Sequence, residues 1–408
     1  MNNKPMPSVL MLALVATTLM GCGESTSSSS GKDFNKPTEN TTDFNEKALL
    51  TDLVDKVITP TFTRFNDKAK IHSQDVAQFC VQQKALLSGN IEQSAFDTAK
   101  QTAQNSWNEA IGVWQQAELM QLGPLLDNDK LIRDRIYSWP NVNSCAVDYD
   151  VMFFRNGSVN GAPYDITRRL PSRKGLAALE YLLFNDNLDD SCKSASPEGW
   201  ANLPDNQKKI ARCEFATEVA KDLSNNASNL VTAWNSYAPT LKQTGTTDNP
   251  FKNDHEAVNH ISDAMFYLDK STKDGKLGKP LGLQVNTCGA EACPEDVESK
   301  FAEKSLSHII NNLRGFDRLL QGESGIGFTA YLNDVGAKDT ADSMVANIQQ
   351  AISNAEAYQT SLKKALETNT EQVSETHGKV KAVTDTLKTD FINRLALELP
   401  KTSAGDND

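Results

Sequence analysis

From residue 46 to residue 398 the apolar side chains return at intervals of three and four, the spacing that gathers them on one face of an α-helix. Ala103, Trp107, Ala110, Ile111 and Trp114 form one such stripe within residues 88–119, among good helix formers. The pattern recurs through residues 46–85, 172–187, 205–238, 252–270, 296–320, 338–367 and 370–398. Period-two alternation punctuated by turn dipeptides, the mark of hairpins, is scarce. Such a chain must bury its stripes helix against helix, so the predicted fold class is all-α. At 408 residues the chain is long for a single core. The stretch DNLDDSCKSASPEGWANLPDN breaks the helical pattern and predicts two helical-bundle domains, residues 46–190 and 205–400, joined near 188–204. Between 271 and 294 a second break, rich in Gly, Pro and Cys, reads as a long loop.

The first residues address the compartment. Lys4 precedes an apolar run from Val9 to Met20, 12 residues long and too short to span a bilayer. It ends in Leu19-Met20-Gly21-Cys22, which resembles the lipobox of bacterial lipoproteins, where the cysteine is lipidated after cleavage. This predicts a signal peptide over 1–21, a lipid anchor on Cys22, and a flexible polar tether through residue 45. Gly23 after the cysteine points to the outer membrane, facing the periplasm. Seven cysteines less Cys22 leave six, an even number that in an oxidising compartment favours disulfides. About fifteen pairings are possible. The short loop CGAEAC suggests Cys288 with Cys293, and the Pro/Gly-containing loop suggests Cys192 with Cys213, leaving Cys80 with Cys145.

The chain carries 41 basic and 53 acidic residues, a formal charge of −12 that becomes −13 once Lys4 leaves with the signal peptide. No clustered basic face is visible, so nucleic acid is not expected as a partner. The segment HEAVNH at 255–260 looks like the zinc motif HExxH but is one residue too long. His255 and His260 lie about 140° apart on a helix, so they cannot share one metal. Glu256, His260 and Asp263 do share a face, which in most proteins is solvated surface. His72, His308 and His377 stand isolated in sequence and read as packed or surface residues.

The helix RKGLAALEYLLFN, residues 173–185, sets a harder question, because Glu180 falls on the apolar face marked by Leu176, Leu179 and Leu183. An unpaired buried carboxylate costs several kcal/mol, so Glu180 needs a cation, donors or a wet cleft. GLAALEYLLF resembles the GxHxxE motif of imelysin-like proteins, a family of bacterial envelope proteins. Further blocks follow in that family's order: Ser138-Trp139-Pro140 with Cys145-Ala146-Val147-Asp148, the loop KLGKPLG from Lys276, and the tract Glu298-Ser299, Ser305, Ser307, Asn312-Leu313-Arg314-Gly315 and Gly325-Ile326-Gly327-Phe328. The resemblance covers about residues 45–400. It implies two helical bundles with a site in the cleft between them, a link to iron uptake, and for the founding member a metallopeptidase that cleaves insulin.

Gly175 matches the motif's glycine and Glu180 its glutamate, but Ala177 stands at the histidine position. In a helix, i and i+3 place imidazole and carboxylate side by side. Alanine supplies no ligand, and one carboxylate is a poor anchor for a transition metal. Two roles remain open for Glu180. It pairs with Arg155, Arg169 or Arg173 to fix the bundles together, or it lines a polar binding cleft with Asp148, Glu298, Ser299 and Tyr181. Such oxygens suit hard cations, with iron or another metal as the implied ligand. The candidate site is therefore Gly175, Ala177, Glu180, Tyr181, Asp148, Arg173, Glu298 and Ser299. The expected function is non-catalytic binding in iron or heme uptake, alongside iron-uptake machinery. A divergent metallopeptidase and a partner-binding envelope module are the alternatives.

Overall fold

A computed structural model describes residues 43–400. The signal peptide, Cys22 and the tether up to residue 42 lie outside the described residues. No helix among the described residues is long and apolar enough to cross a membrane.

The all-α expectation holds: helix follows helix, with one two-residue hairpin pairing Ser158–Val159 with Ala162–Pro163. Helix α1 (Glu46–Asp52) passes through a π-helical turn into α2 (Thr59–Leu87), and α3 (Gln93–Ala117) returns alongside. Then come α4 (Asp127–Ile136), α5 (Ser144–Arg155), α6 (Gly175–Phe184) and the long α7 (Asp205–Lys242), which lies along α2 and α6. Trp107 and Trp114 of the predicted stripe are buried. Phe62 of α2 meets Trp234 of α7 edge-on at 5.1 Å, and Phe65 meets Trp114 of α3 at 4.9 Å. Each such side chain contributes about 1.5–3 kcal/mol by leaving water.

Helix α8 (Asp254–Met265) leads into a π-helix, Leu268–Gly278, and the single turn α9 (Lys279–Leu281). This corrects the long loop read from the sequence. Gly275 and Gly278 are helical there because the backbone packs close: a Cβ on Gly275 would sit 2.8 Å from the Trp139 ring. The irregular stretch is confined to about residues 282–304. Helices α10 (Ser305–Gln321), α11 (Phe328–Asp334), α12 (Lys338–Glu356), α13 (Leu362–Thr368) and α14 (Thr370–Thr386), the last running through a π-helical turn into α15 (Ile392–Arg394), complete the second set, with Leu313, Phe316, Met344, Ile348, Val380 and Val383 buried between them. The buried apolar residues form one continuous cluster from Leu49 to Leu397.

The sets meet most closely where α10 crosses α3. A Cβ on Gly315 would lie 2.6 Å from the Gln116 carbonyl, so only glycine lets the backbones approach this far. Cys288 pairs with Cys293 as expected. The other two bridges differ from the expectation: Cys80 joins Cys213 and Cys145 joins Cys192. Packing decides this, since α7 lies along α2 and brings Cys213 within 5.0 Å of Cys80, Cα to Cα.

Candidate functional site

Helix α6 begins abruptly. Pro171–Arg173 forms a 3₁₀ turn, Lys174 is extended, and Gly175 takes a left-handed φ of +73°. A Cβ on Gly175 would come 2.5 Å from the Ile136 carbonyl and 2.7 Å from that of Arg135, so glycine alone lets α6 start against the end of α4. The N-cap position is Lys174, whose ammonium bonds the Ile166 carbonyl and meets Asp222.

This start aims Glu180 at the segment ahead of α10. Its Oε1 accepts from Ser299 Oγ at 2.8 Å, Phe301 N at 3.0 Å and Ala302 N at 2.9 Å. Ser299 is held in turn, donating its N–H to Ser305 Oγ. Burial pushes the Glu180 carboxyl above its ordinary pKa, and the three donors pull against that without overcoming it. No arginine reaches Glu180, which corrects the pairing considered from the sequence. Arg155 bonds Gln207, while Arg169 and Arg173 both clamp the buried Asp150. Neutral donors already supplied by a turning backbone satisfy the carboxylate instead.

Beside it lies a buried charge network that the sequence reading did not assemble. Glu298 Oε1 accepts from Tyr137 OH at 2.9 Å and Gln115 Nε2 at 3.0 Å, and lies 3.0 Å from Lys276 Nζ. Lys276 also reaches Glu118 at 3.2 Å and donates to Asn312 Oδ1 at 2.9 Å. Glu118 accepts from Trp114 and Tyr267. Burial pushes Glu298 upward, but Lys276 and His308 prevail and hold its carboxyl well below the usual carboxylate range. His308 Nδ1 is 3.1 Å from Glu298 Oε2, a contact without an aligned hydrogen bond. Lys276 and Asn312 fall in blocks that carry the resemblance, yet their spacing says nothing of this convergence. Nothing in the sequence around His308 separates it from a packed histidine.

Glu180 and Glu298 line a cavity of about 720 Å³. Ala177 and Tyr181 share its wall with Trp139 and Phe301, and Lys193, Lys270, Lys279 and Lys300 add cationic side chains. Of the predicted residues, Ala177, Glu180, Tyr181 and Glu298 thus come together on one surface, with Ser299 behind Glu180 and Gly175 setting the helix start. Asp148 and Arg173 do not join them. Asp148 is fully buried and takes Tyr181 OH at 2.9 Å, Ser191 N at 2.8 Å and Ser191 Oγ at 2.9 Å, with Arg212 at 3.4 Å. It ties α5 to the segment after α6. Arg173 serves Asp150.

A catalytic metal implied by the resemblance finds no fitting donor set. Ala177 offers no ligand atom and Glu180 Oε1 is spent on three donors. His308 does arrive from another helix, but with Glu298 Oε2 it makes a single imidazole–carboxylate pair, the other oxygen of Glu298 being held by Lys276, Gln115 and Tyr137. Among the described residues no group of three or more His, Cys, Asp and Glu side chains is placed to hold a metal ion. The weaker set of Glu256, His260 and Asp263 fares no better: Glu256 accepts from Lys252 N at its own helix start, and His260 packs against the Phe251 ring.

The family model described as Imelysin matches residues 58–389. A curated relative, iron-regulated protein A of Synechococcus elongatus, is 25% identical over 295 residues, covering 70% of this chain and 68% of its own. An imelysin-like protein from Psychrobacter arcticum superposes with a TM-score of 0.67 at 15% identity, covering 88% of this chain and 99% of its own. A protein named as an iron-regulated protein A precursor, from Parabacteroides distasonis, gives 0.65 at 16% identity, covering 86% and 94%. At these identities the two structures speak for the fold.

Proposed function

The chain belongs to the imelysin family, and from that premise we propose that it is a periplasmic lipoprotein, anchored through Cys22 to the outer membrane, that binds a ligand of iron or heme acquisition and performs no chemistry. The observation that carries this reading is the 720 Å³ cavity beside Glu180, with Ala177 where a histidine ligand would stand. A pocket of this size suits a small organic molecule. Hydrolysis through a metal-bound water needs a set of ligands, and among the described residues no three His, Cys, Asp and Glu side chains are placed to supply one. The names of two relatives, both iron-regulated proteins, support the iron context.

Calorimetry with ferric chelates and heme tests the binding role: saturable heat with at least one supports it, and silence with all of them refutes it. The competing reading, an imelysin-type metallopeptidase, is tested by incubation with insulin and added zinc. Cleavage that Glu180→Ala abolishes would establish the enzyme and end the non-catalytic reading.

A further inference from the structure

Resting on that binding role, we infer that the cavity's occupant is a carboxylate-rich organic anion that brings any metal already chelated, and not a bare cation. Size speaks first. A volume of about 720 Å³ is far more than one ion fills, and Trp139 and Phe301 give it flat apolar walls suited to an organic framework. A bare hard cation would need several oxygens converging at roughly 2.0–2.6 Å, and no such group stands among the described residues.

The charges point the same way. Four carboxylates touch the cavity, and each already has polar partners, three of them including a lysine. Glu298 is matched by Lys276, Glu295 by Lys363 at 2.6 Å, Asp296 by Thr287 and by Lys279 at 3.9 Å, and Glu180 by its three neutral donors. Lys276 and Lys363 lie outside the wall, so part of the acid is compensated without using the cavity's own cations. Lys193 and Lys300, both exposed on the wall, have no carboxylate within ion-pair distance among the described residues, although Lys300 lies over the Phe301 ring at 5.2 Å and is close enough to help hold the Asp296 carboxyl below its usual range. Asn143, Ser144 and Cys145, the start of the twelve-residue helix α5, also face the cavity, adding the positive end of a helix dipole. In a chain of net charge −12, two exposed lysines outside any close ion pair and a helix N-terminus around one pocket form a local field that selects anions.

The test is isothermal titration of the purified protein with ferric citrate, gallium citrate, metal-free citrate, a neutral ferric hydroxamate, and manganese or zinc ion alone, with Trp139 fluorescence as a second readout. The expected result is binding of the citrate complexes that weakens as salt rises. The double variant Lys193→Gln, Lys300→Gln should lose roughly tenfold in affinity, while Lys252→Gln, far exposed at α8, should lose nothing. Binding of the bare cation or the neutral hydroxamate, unaffected by the lysine variants and with citrate complexes silent, overturns the anion assignment while leaving the binding role intact. Silence with every probe, heme included, overturns both.

Discussion

Glu180 shows how a carboxylate survives on an apolar helix face. Its Oε1 is a hub for one hydroxyl and two backbone N–H groups, so truncation to alanine strands all three at once. Glu180→Ala should cost about 2–3 kcal/mol in urea unfolding, whereas Glu180→Gln, which keeps an accepting oxygen, should cost under about 1 kcal/mol. Equal losses would mean that the charge, not the acceptor, matters. A second residue-scale prediction concerns His255. Its Nδ1 meets Glu46 Oε1 at 2.6 Å and its Nε2 meets the Ala396 carbonyl at 3.1 Å. The bond to Glu46 raises the His255 pKa above its usual 6.5. A raised histidine contributes stability that is complete below pH 6.5 and is lost as pH climbs through the folded value. The urea midpoint should therefore fall between pH 6 and pH 8 by more in the parent protein than in His255→Gln, and identical slopes would refute the coupling. Glu46, lowered in turn against the effect of burial, loses its own contribution only on the acid side, below about pH 4.5.

Among the elements, the helices were legible because three- and four-residue spacing survives whatever the helices pack against. Their partners were not. Cys192 and Cys213 flank one loop in sequence, yet each bonds a cysteine from an earlier helix, because α7 lies along α2 and the segment after α6 folds back onto α5 through Asp148 and Ser191. The bridge Cys80–Cys213 spans 133 residues of sequence, so it removes much freedom from the unfolded chain. Cys80→Ser with Cys213→Ser should lower stability by about 2–5 kcal/mol. The same double change at Cys288 and Cys293, whose separation is only 5, should do far less. Comparable losses from the two would place the effect in packing. The stretch 271–294 was misread for a related reason. Its glycines look like turn residues, but Gly275 and Gly278 are helical positions where another element comes too close for a side chain.

At the scale of the whole molecule, Lys276 is the cation through which residues from α3, the π-helix, the Glu298 segment and α10 meet. Lys276→Met would take the lysine from buried Glu298 and leave Glu118 with Arg133 alone, at 3.8 Å, at a cost of about 3–5 kcal/mol. Adding Glu298→Gln should recover part of that, so the double variant should unfold at higher urea than the sum of the single losses predicts. Strict additivity would show that the lysine and the glutamate act independently. The network also explains how the wall beside Glu180 holds its shape with Ala177 in place of a histidine: the polar contacts that order this region run through Glu298, not through the motif position.

The helical class, the family resemblance, the local Cys288–Cys293 bridge and the anomaly of Glu180 were all written in the sequence, because each rests on neighbours within a few turns or on blocks kept in order. Which side chains share a surface was decided by the tertiary structure alone. Asp148 and Arg173 were drawn inward to brace α5 and α6, while Trp139, Phe301 and the lysines of the cavity came together from segments scattered over more than a hundred residues. Periodicity reports which face of a helix is buried. It carries no information about the partner that buries it, and a binding surface is made of partners.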